Sequence, residues 1–137
     1  MRLLLATLFL AAAPIAAQAA EPLTGQWFTE NGKAMVRIVK CGPAMCGRIV
    51  KILKPRPGSN GLDERNPDPA LKGRKIEGLM ILANLKDSGS DWQGRIYSPE
   101  DGRDYAAYLQ RLPDGTLQVK GCLAAVLCRT QIWQPKR

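Results

Sequence analysis

The chain has 137 residues, of which 20 are basic and 12 are acidic, and it contains no histidine. The missing imidazole excludes every mechanism that needs histidine as a base, an acid or a metal ligand. The four cysteines and the net charge of +8 are the compositional features that remain to be explained.

The first 19 residues have the pattern of an export signal. Arg2 precedes an apolar run, and Ala17-Gln18-Ala19 places small residues where a signal peptidase recognises them. We therefore expect cleavage after Ala19, which leaves residues 20–137 as a single periplasmic or secreted domain. The apolar run is shorter than a spanning helix requires, and no later segment is apolar enough to replace it, so no membrane span is predicted.

The cysteines are expected to form disulfides, because their number is even and the chain is predicted to be exported. Three pairings are open, and loop entropy alone favours the pairs that close long loops. The Gly42-Pro43 turn argues instead for local pairing of Cys41 with Cys46 and of Cys122 with Cys128. Neither spacing is that of a zinc knuckle, so we predict no metal and no cofactor.

Short β-prone runs separated by turn residues recur along the chain, as in all-β sandwiches and barrels. Ala34, Val36 and Ile38 alternate with Arg37, which is typical of a half-buried strand. A long loop rich in proline and glycine covers Lys54–Lys75, and Pro67 favours a short helix at Asp68–Leu71. The predicted strands are Gly25–Glu30, Ala34–Cys41, Cys46–Leu53, Leu79–Leu85, Trp92–Tyr97, Arg103–Leu112, Thr116–Cys122 and Cys128–Trp133.

Eight strands joined mainly by hairpins predict an antiparallel up-and-down barrel, because closing the sheet removes its exposed edges. The long loop lies between the third and fourth strands. A barrel of this size encloses space for side chains or for one small ligand.

Gly25-Gln26-Trp27 in the first strand and Arg129 in the last resemble the signature of lipocalin-like (calycin) barrels. In those barrels, an arginine from the final strand covers an early tryptophan at the closed end. The resemblance predicts that Trp27 and Arg129 close the base of the barrel.

The middle of the chain carries a more specific series of motifs. They are Asp63-x-x-Asn66-Pro67-Asp68-Pro69-Ala70-Leu71, Arg74, Gly78-Leu79, Trp92-x-Gly94-x-Ile96-Tyr97-x-Pro99-x-x-Gly102-x-x-Tyr105, Leu117-x-Val119-x-Gly121 and Arg129-Thr130-x-x-Trp133. With Cys41-Gly42 and Cys46-Gly47-Arg48, this series resembles the DUF2147 family of uncharacterised exported bacterial proteins. The resemblance runs from Gly25 to Trp133 and departs at Lys75, where the family usually has proline. It implies a lipocalin-like barrel and export, and ligand binding by analogy between barrels.

Candidate ligand-binding residues follow from this fold, because aromatic side chains line apolar cavities and loop side chains select ligands at a barrel mouth. The predicted wall residues are Trp92, Tyr97 and Tyr105, and the predicted mouth residues are Asp63, Asn66 and Arg74.

The polar residues of the long loop also have a structural interpretation. Asn66 before Pro67 is a turn former, and Asp68 is suited to capping a short helix. Arg74 would then hold the loop by pairing with an acidic side chain.

Catalysis is not predicted. The serines have no histidine to activate them. Adjacent acids such as Glu100 and Asp101 are typical of a solvated hairpin turn and not of two catalytic carboxylates that face one bond. Sequence motifs for binding nucleotides are also absent.

Basic residues form two groups, and the domain after Ala19 carries a net charge of +7. The first group is Lys40, Arg48, Lys51, Lys54 and Arg56, and the second is Lys72, Arg74 and Lys75. A basic face attracts anionic envelope lipid or an envelope protein, whereas dispersed charge serves solubility alone. Nucleic acid is not an expected partner.

The leading hypothesis is a non-enzymatic periplasmic or secreted protein that binds a small apolar or amphipathic molecule inside the barrel. The alternative is a structural or interaction module of the envelope with a packed interior. A barrel filled by its own side chains would favour the alternative.

Overall fold

The computed structural model describes residues 10–15 and 19–137. Most of the predicted leader, residues 1–9 and 16–18, therefore lies outside the described residues. Within the described ranges, we find no helix whose length and apolar character would suffice to cross a membrane.

The strands are β1 (Gly25–Phe28), β2 (Ala34–Cys41), β3 (Ala44–Ile52), β4 (Met80–Asp87), β5 (Trp92–Ser98), β6 (Arg103–Arg111), β7 (Leu117–Cys122) and β8 (Cys128–Pro135). In the described part of the chain they form a closed antiparallel barrel in which each strand pairs with its neighbour in sequence. The pairing of β1 with β8 that closes the barrel is short, with Trp27 opposite Pro135 and Phe28 opposite Gln134. The predicted eight-stranded up-and-down barrel is confirmed.

The predicted strand ends agree with the observed ones to within two residues. Val36 and Ile38 are buried and Arg37 is exposed, as the alternation predicts. The short helix after Pro67 is also present, as a 3-10 helix at Pro69–Leu71. The Asp68 carboxylate caps it by accepting a hydrogen bond from the Ala70 amide across 3.0 Å.

The connections between strands divide between the two ends of the barrel. At one end, which we call the base, the segment before β1 meets the β2–β3, β4–β5 and β6–β7 turns. At the other, which we call the open end, lie the long loop between β3 and β4, the β5–β6 turn and the β7–β8 loop. Large apolar side chains that are at most 2% exposed fill the base: Leu23, Trp27, Ile38, Leu85, Leu109, Leu117 and Trp133.

Both predicted disulfides are confirmed. Cys41 is paired with Cys46 at the base, where β2 ends and β3 begins. Cys122 is paired with Cys128 at the open end, where β7 ends and β8 begins. The Cα atoms of the pairs are 5.8 and 4.1 Å apart, so each disulfide joins adjacent strands of one hairpin. Two local disulfides are consistent with an oxidising compartment.

Trp27 is buried at the base, and the guanidinium over its ring belongs to Arg111. The Cζ atom of Arg111 lies 5.1 Å from the ring centroid, and the indole Nε1 donates to the Leu23 carbonyl across 3.0 Å. The expectation for Arg129 is therefore corrected: its side chain is 70% exposed and pairs with Glu30. The reason is strand direction, since β8 begins at the open end whereas β6 ends at the base.

Candidate functional site

A cavity of about 660 Å³ opens at the open end, between the β5–β6 turn and the β7–β8 loop. This volume lies within the range of roughly 300–1,000 Å³ that small-molecule sites occupy. Strands β5 to β8 supply its inner wall through Ile96, Tyr105, Val119, Gly121 and Gln131. The barrel is therefore packed at its base and hollow at its open end.

The strand register explains why these side chains meet. Ile96 lies opposite Tyr105 in the β5–β6 pair, and Val119 lies opposite Gln131 in the β7–β8 pair. Since alternate residues of a strand share a face, all four point to the interior. Gly121 leaves room beside them, because a Cβ atom at this position would lie 3.4 Å from the Cβ of Tyr105.

A run of five apolar residues, 123–127, forms one lip of the cavity, and we call it the apolar loop. The Cys122–Cys128 disulfide joins its two ends, and the Leu123 amide donates to the Leu127 carbonyl across 3.0 Å. Val126 is 86% exposed and Leu127 is 63% exposed, yet both line the cavity. Clustered exposure of large apolar side chains is typical of interaction sites.

The remaining rim of the cavity is charged. Arg65, Glu100, Asp101 and Arg129 line it. Arg65 donates a hydrogen bond to the Glu100 carbonyl, and the Tyr105 hydroxyl donates to the Asp101 carboxylate. This hydrogen bond, with smaller effects from burial and the Asp101 charge, raises the pKa of Tyr105. The cavity thus combines apolar walls with a rim that carries both signs of charge.

The predicted mouth residues Asp63, Asn66 and Arg74 do lie together, but on the side of the long loop that packs against the outer face of the barrel. Asp63 is completely buried. Its carboxylate accepts hydrogen bonds from Tyr97 Oη at 2.6 Å, Arg74 Nε at 2.8 Å and Asn66 Nδ2 at 3.0 Å. The Arg74 guanidinium also lies 5.4 Å from the centroid of the Tyr97 ring. We call these four residues the loop anchor.

The loop anchor joins the long loop to β5. Burial, then the hydrogen bond to Asp63 and the charge of that carboxylate, raise the pKa of Tyr97 to about 12. A neutral Tyr97 therefore donates to the Asp63 carboxyl group, with which Arg74 forms an ion pair. These contacts support the structural interpretation of the polar loop residues.

The expected position of Tyr97 in the cavity wall is corrected by the same geometry. Ile96 lines the cavity, and successive side chains of a strand point to opposite faces. Tyr97 consequently points outward, and the long loop covers it.

The other two predicted wall residues lie at opposite ends of the barrel. Tyr105 lines the cavity at the open end. Trp92 lines a separate cavity of about 270 Å³ at the base, together with Ala20, Glu21 and Arg111. Its indole Nε1 donates to the Glu21 carbonyl across 2.8 Å. Trp92 is therefore corrected from a wall residue of the main cavity to a residue that holds the segment before β1.

Sequence reasoning missed most of the residues around the main cavity. The available signal was the apolar loop itself, because five consecutive apolar residues between two paired cysteines cannot all be buried in a hairpin tip. The missed residues are Arg65, Ile96, Ser98, Glu100, Asp101, Val119, Gly121, Val126, Leu127 and Gln131.

Four cations are exposed on the β2–β3 hairpin, and we call them the basic face: Arg37, Lys40, Arg48 and Lys51. The two strands contain no acidic residue, and Arg37 lies directly opposite Arg48. The positive charge of this hairpin is therefore not balanced within its own strands.

Comparison with known proteins identifies the fold and the family. No curated protein matches the chain. The barrel is similar to protein HP1028 from the human pathogen Helicobacter pylori, which is described as belonging to the lipocalin family. The TM-score is 0.73 at 20% sequence identity, over 85% of this chain and 84% of that one, so the likeness shows a shared fold. The family model described as an uncharacterized protein conserved in bacteria (DUF2147) matches residues 25–135. The chain therefore belongs to the DUF2147 family.

Proposed function

We propose that this protein is a non-enzymatic binding protein that takes a small amphipathic molecule into the cavity at the open end. The observation that carries the proposal is the combination found there: a volume of about 660 Å³, mainly apolar inner walls, an exposed apolar loop and a charged rim. An apolar tail fits the walls, and a polar head group fits the rim.

The energetic argument rests on the apolar part of the ligand. Burial of apolar surface contributes roughly 25 cal/mol per Å², so about 200 Å² contributes about 5 kcal/mol before the costs of association. Arg65 and Arg129 lie at the rim and supply donors for an anionic or zwitterionic head group. The rim therefore orients the ligand, while the walls provide affinity.

Export belongs to the same proposal. The leader pattern before Ala20 and the two local disulfides support an exported protein. We place the mature protein in the periplasm or outside the cell, where envelope lipids and their breakdown products are available ligands.

A non-enzymatic role is supported by the residue types around the cavity. The chain has no histidine, and the Asp101 carboxylate at the rim already accepts a hydrogen bond from Tyr105. Arg129 is likewise paired with Glu30. These groups are arranged to form a polar rim rather than to activate a nucleophile.

Native mass spectrometry of the oxidised protein tests the proposal directly. We expect small molecules that co-purify, or complexes after addition of laurate and of lysophosphatidylcholine. These two probes share an apolar tail and differ in head-group charge. A ligand-free mass that neither probe shifts would contradict binding in the barrel.

A matched pair of variants locates the binding site. V126D places a charge on the lip of the cavity, whereas V39D makes the same change on β2, at a side chain that is 40% exposed. Since Val126 is 86% exposed, folding should tolerate the change. We expect V126D to weaken laurate binding by about tenfold, which corresponds to about 1.4 kcal/mol, and V39D to leave it unchanged. Equal effects would place the ligand elsewhere.

The basic face supports a second candidate function, namely docking of the barrel on anionic envelope lipid. Its four exposed cations lie on strands without acidic residues. Binding to vesicles of phosphatidylglycerol that weakens with added salt, and is absent on phosphatidylcholine vesicles, would support it. An R48Q/K51Q variant should reduce that binding without affecting laurate binding.

A further inference from the structure

The segment before β1 is attached to the base of the barrel from Ala20 onward. The Trp92 indole donates to the Glu21 carbonyl, and the Leu23 side chain is completely buried. The described residues upstream, 10–15 and Ala19, are all exposed. Ala19 still borders the cavity at the base. Among the described residues, however, hydrogen bonds from this segment to the barrel begin at Ala20, which follows the predicted cleavage position.

The backbone nitrogen of Ala20 is hydrogen-bonded to the carboxylate of Asp87. It is 3.1 Å from Asp87 Oδ1 and 3.2 Å from Asp87 Oδ2, close to both oxygens at once. In the uncleaved chain this nitrogen is a neutral peptide amide with a single proton. A carboxylate that straddles a nitrogen in this way is suited equally to an ammonium group, which has three protons.

We propose that removal of the leader at the Ala19–Ala20 bond builds a new ion pair at the base of the barrel, between the released α-ammonium group of Ala20 and Asp87. Hydrolysis by an exported-protein peptidase breaks the bond between the Ala19 carbonyl carbon and the Ala20 nitrogen. Water supplies the oxygen of the new Ala19 carboxylate, and the Ala20 amine holds a proton at neutral pH, since α-amino groups have pKa values of about 7.7–8.0.

The surroundings favour the positive charge. Glu21 and Asp91 line the base cavity with Ala20, and Arg111 is the cation among its lining residues. Asp87 is held in place by the Gly89 amide, which donates to Oδ1 across 2.8 Å. Processing therefore replaces a neutral amide donor with a charged ammonium donor, at a carboxylate that is already oriented.

The ion pair would fasten the segment before β1 over the packed base. Leu23 of that segment is completely buried, and its carbonyl accepts the hydrogen bond of the buried Trp27 indole, so attachment of the segment limits access of water to the core. Maturation thus stabilises the barrel in addition to releasing it from the leader. This inference rests on the proposed export and is independent of ligand binding.

The first test is to express the full chain with its own leader in an exporting bacterium and to measure the intact mass of the product. A first residue of Ala20 is expected. An uncleaved chain, or a first residue other than Ala20, would overturn the proposed ion pair.

The second test compares D87N in two exported chains, the natural one and one with two serines inserted between Ala19 and Ala20. The insertion keeps the cleavage position and moves the ammonium group away from Asp87. We expect D87N to lower the melting temperature by about 3–5 °C in the natural product and by less than about 2 °C in the extended product. E21Q, which removes a neighbouring charge that lacks this contact, should have little effect in either. If D87N lowered the melting temperature equally in both products, the contact would be an ordinary amide hydrogen bond and the proposal would be overturned.

Discussion

The hydroxyl of Tyr97 donates a 2.6 Å hydrogen bond to the completely buried carboxylate of Asp63, and this contact fixes the long loop to the outer face of β5. Arg74 completes the arrangement with an ion pair of 2.8 Å to the same carboxylate. The longest connection of the barrel is thus anchored through the buried carboxylate of Asp63.

Removing that charge should loosen the loop. We expect D63N to lower the free energy of unfolding by about 2–4 kcal/mol, because Arg74 loses its partner and an amide replaces an acceptor of three hydrogen bonds. Urea denaturation followed by tryptophan fluorescence measures the change. The control is E64Q, which removes the adjacent, exposed carboxylate paired with Arg56, and should cost less than about 1 kcal/mol. Similar losses in the two variants would show that the loop anchor is not a stabilising centre.

The raised pKa of Tyr97 predicts an alkaline loss of stability. A pKa that rises from 10.0 to about 12 on folding means that the folded state holds the phenol proton more tightly than the unfolded state. Its contribution is complete below pH 10 and is lost as the pH approaches 12. Melting temperatures measured across this range should fall. In Y97F the fall should be shallower, from a lower starting value, because the hydrogen bond to Asp63 is already missing. An identical pH profile in Y97F would assign the loss to other groups.

The arginine over Trp27 gives a third prediction. We expect R111M to lower stability by about 1–2 kcal/mol and to change the tryptophan emission spectrum, because the guanidinium lies on the indole face. R129M should change stability by less than about 0.5 kcal/mol, since its ion pair with Glu30 is largely exposed. A larger effect of R129M would support the arrangement expected from the lipocalin-like signature.

Two glycines with the same backbone requirement provide a fourth prediction. Gly102 and Gly115 both have positive φ, at 71° and 88°. A Cβ atom at Gly102 would lie 1.9 Å from the Arg65 carbonyl oxygen, whereas a Cβ at Gly115 would have nothing within 4 Å. G102A should therefore cost about 1–3 kcal/mol more than G115A. It should also speed proteolysis of the long loop, which limited digestion measures. Equal costs would mean that backbone conformation alone decides the outcome.

Most of the fold could be predicted from local sequence, because hairpins are indicated by alternating apolar and polar residues and by the turn residues between the strands. Cys41–Cys46 is an example, since the Gly42-Pro43 turn sets both the β2–β3 hairpin and its disulfide. These features depend on residues that are close in sequence.

The candidate site depended on longer-range geometry and was predicted poorly. Arg111 and Arg129 both have a guanidinium group that could stack on the Trp27 ring. The direction of their strands determines that Arg111 does so, whereas Arg129 pairs with Glu30. Tyr97 is aromatic and strand-borne like Tyr105, but it faces outward and is buried by a loop whose course no local pattern specifies. The hollow open end likewise depends on which inward positions are small or remain unfilled after the barrel closes.

The two disulfides have a consequence for biogenesis. Their partners are separated by five and six positions, and each pair consists of consecutive cysteines in chain order. A polypeptide that is oxidised as it emerges on the far side of a membrane can thus join each thiol to the next one available. Correct bridging should then require an oxidase alone, without an isomerase to reshuffle mispaired sulfurs.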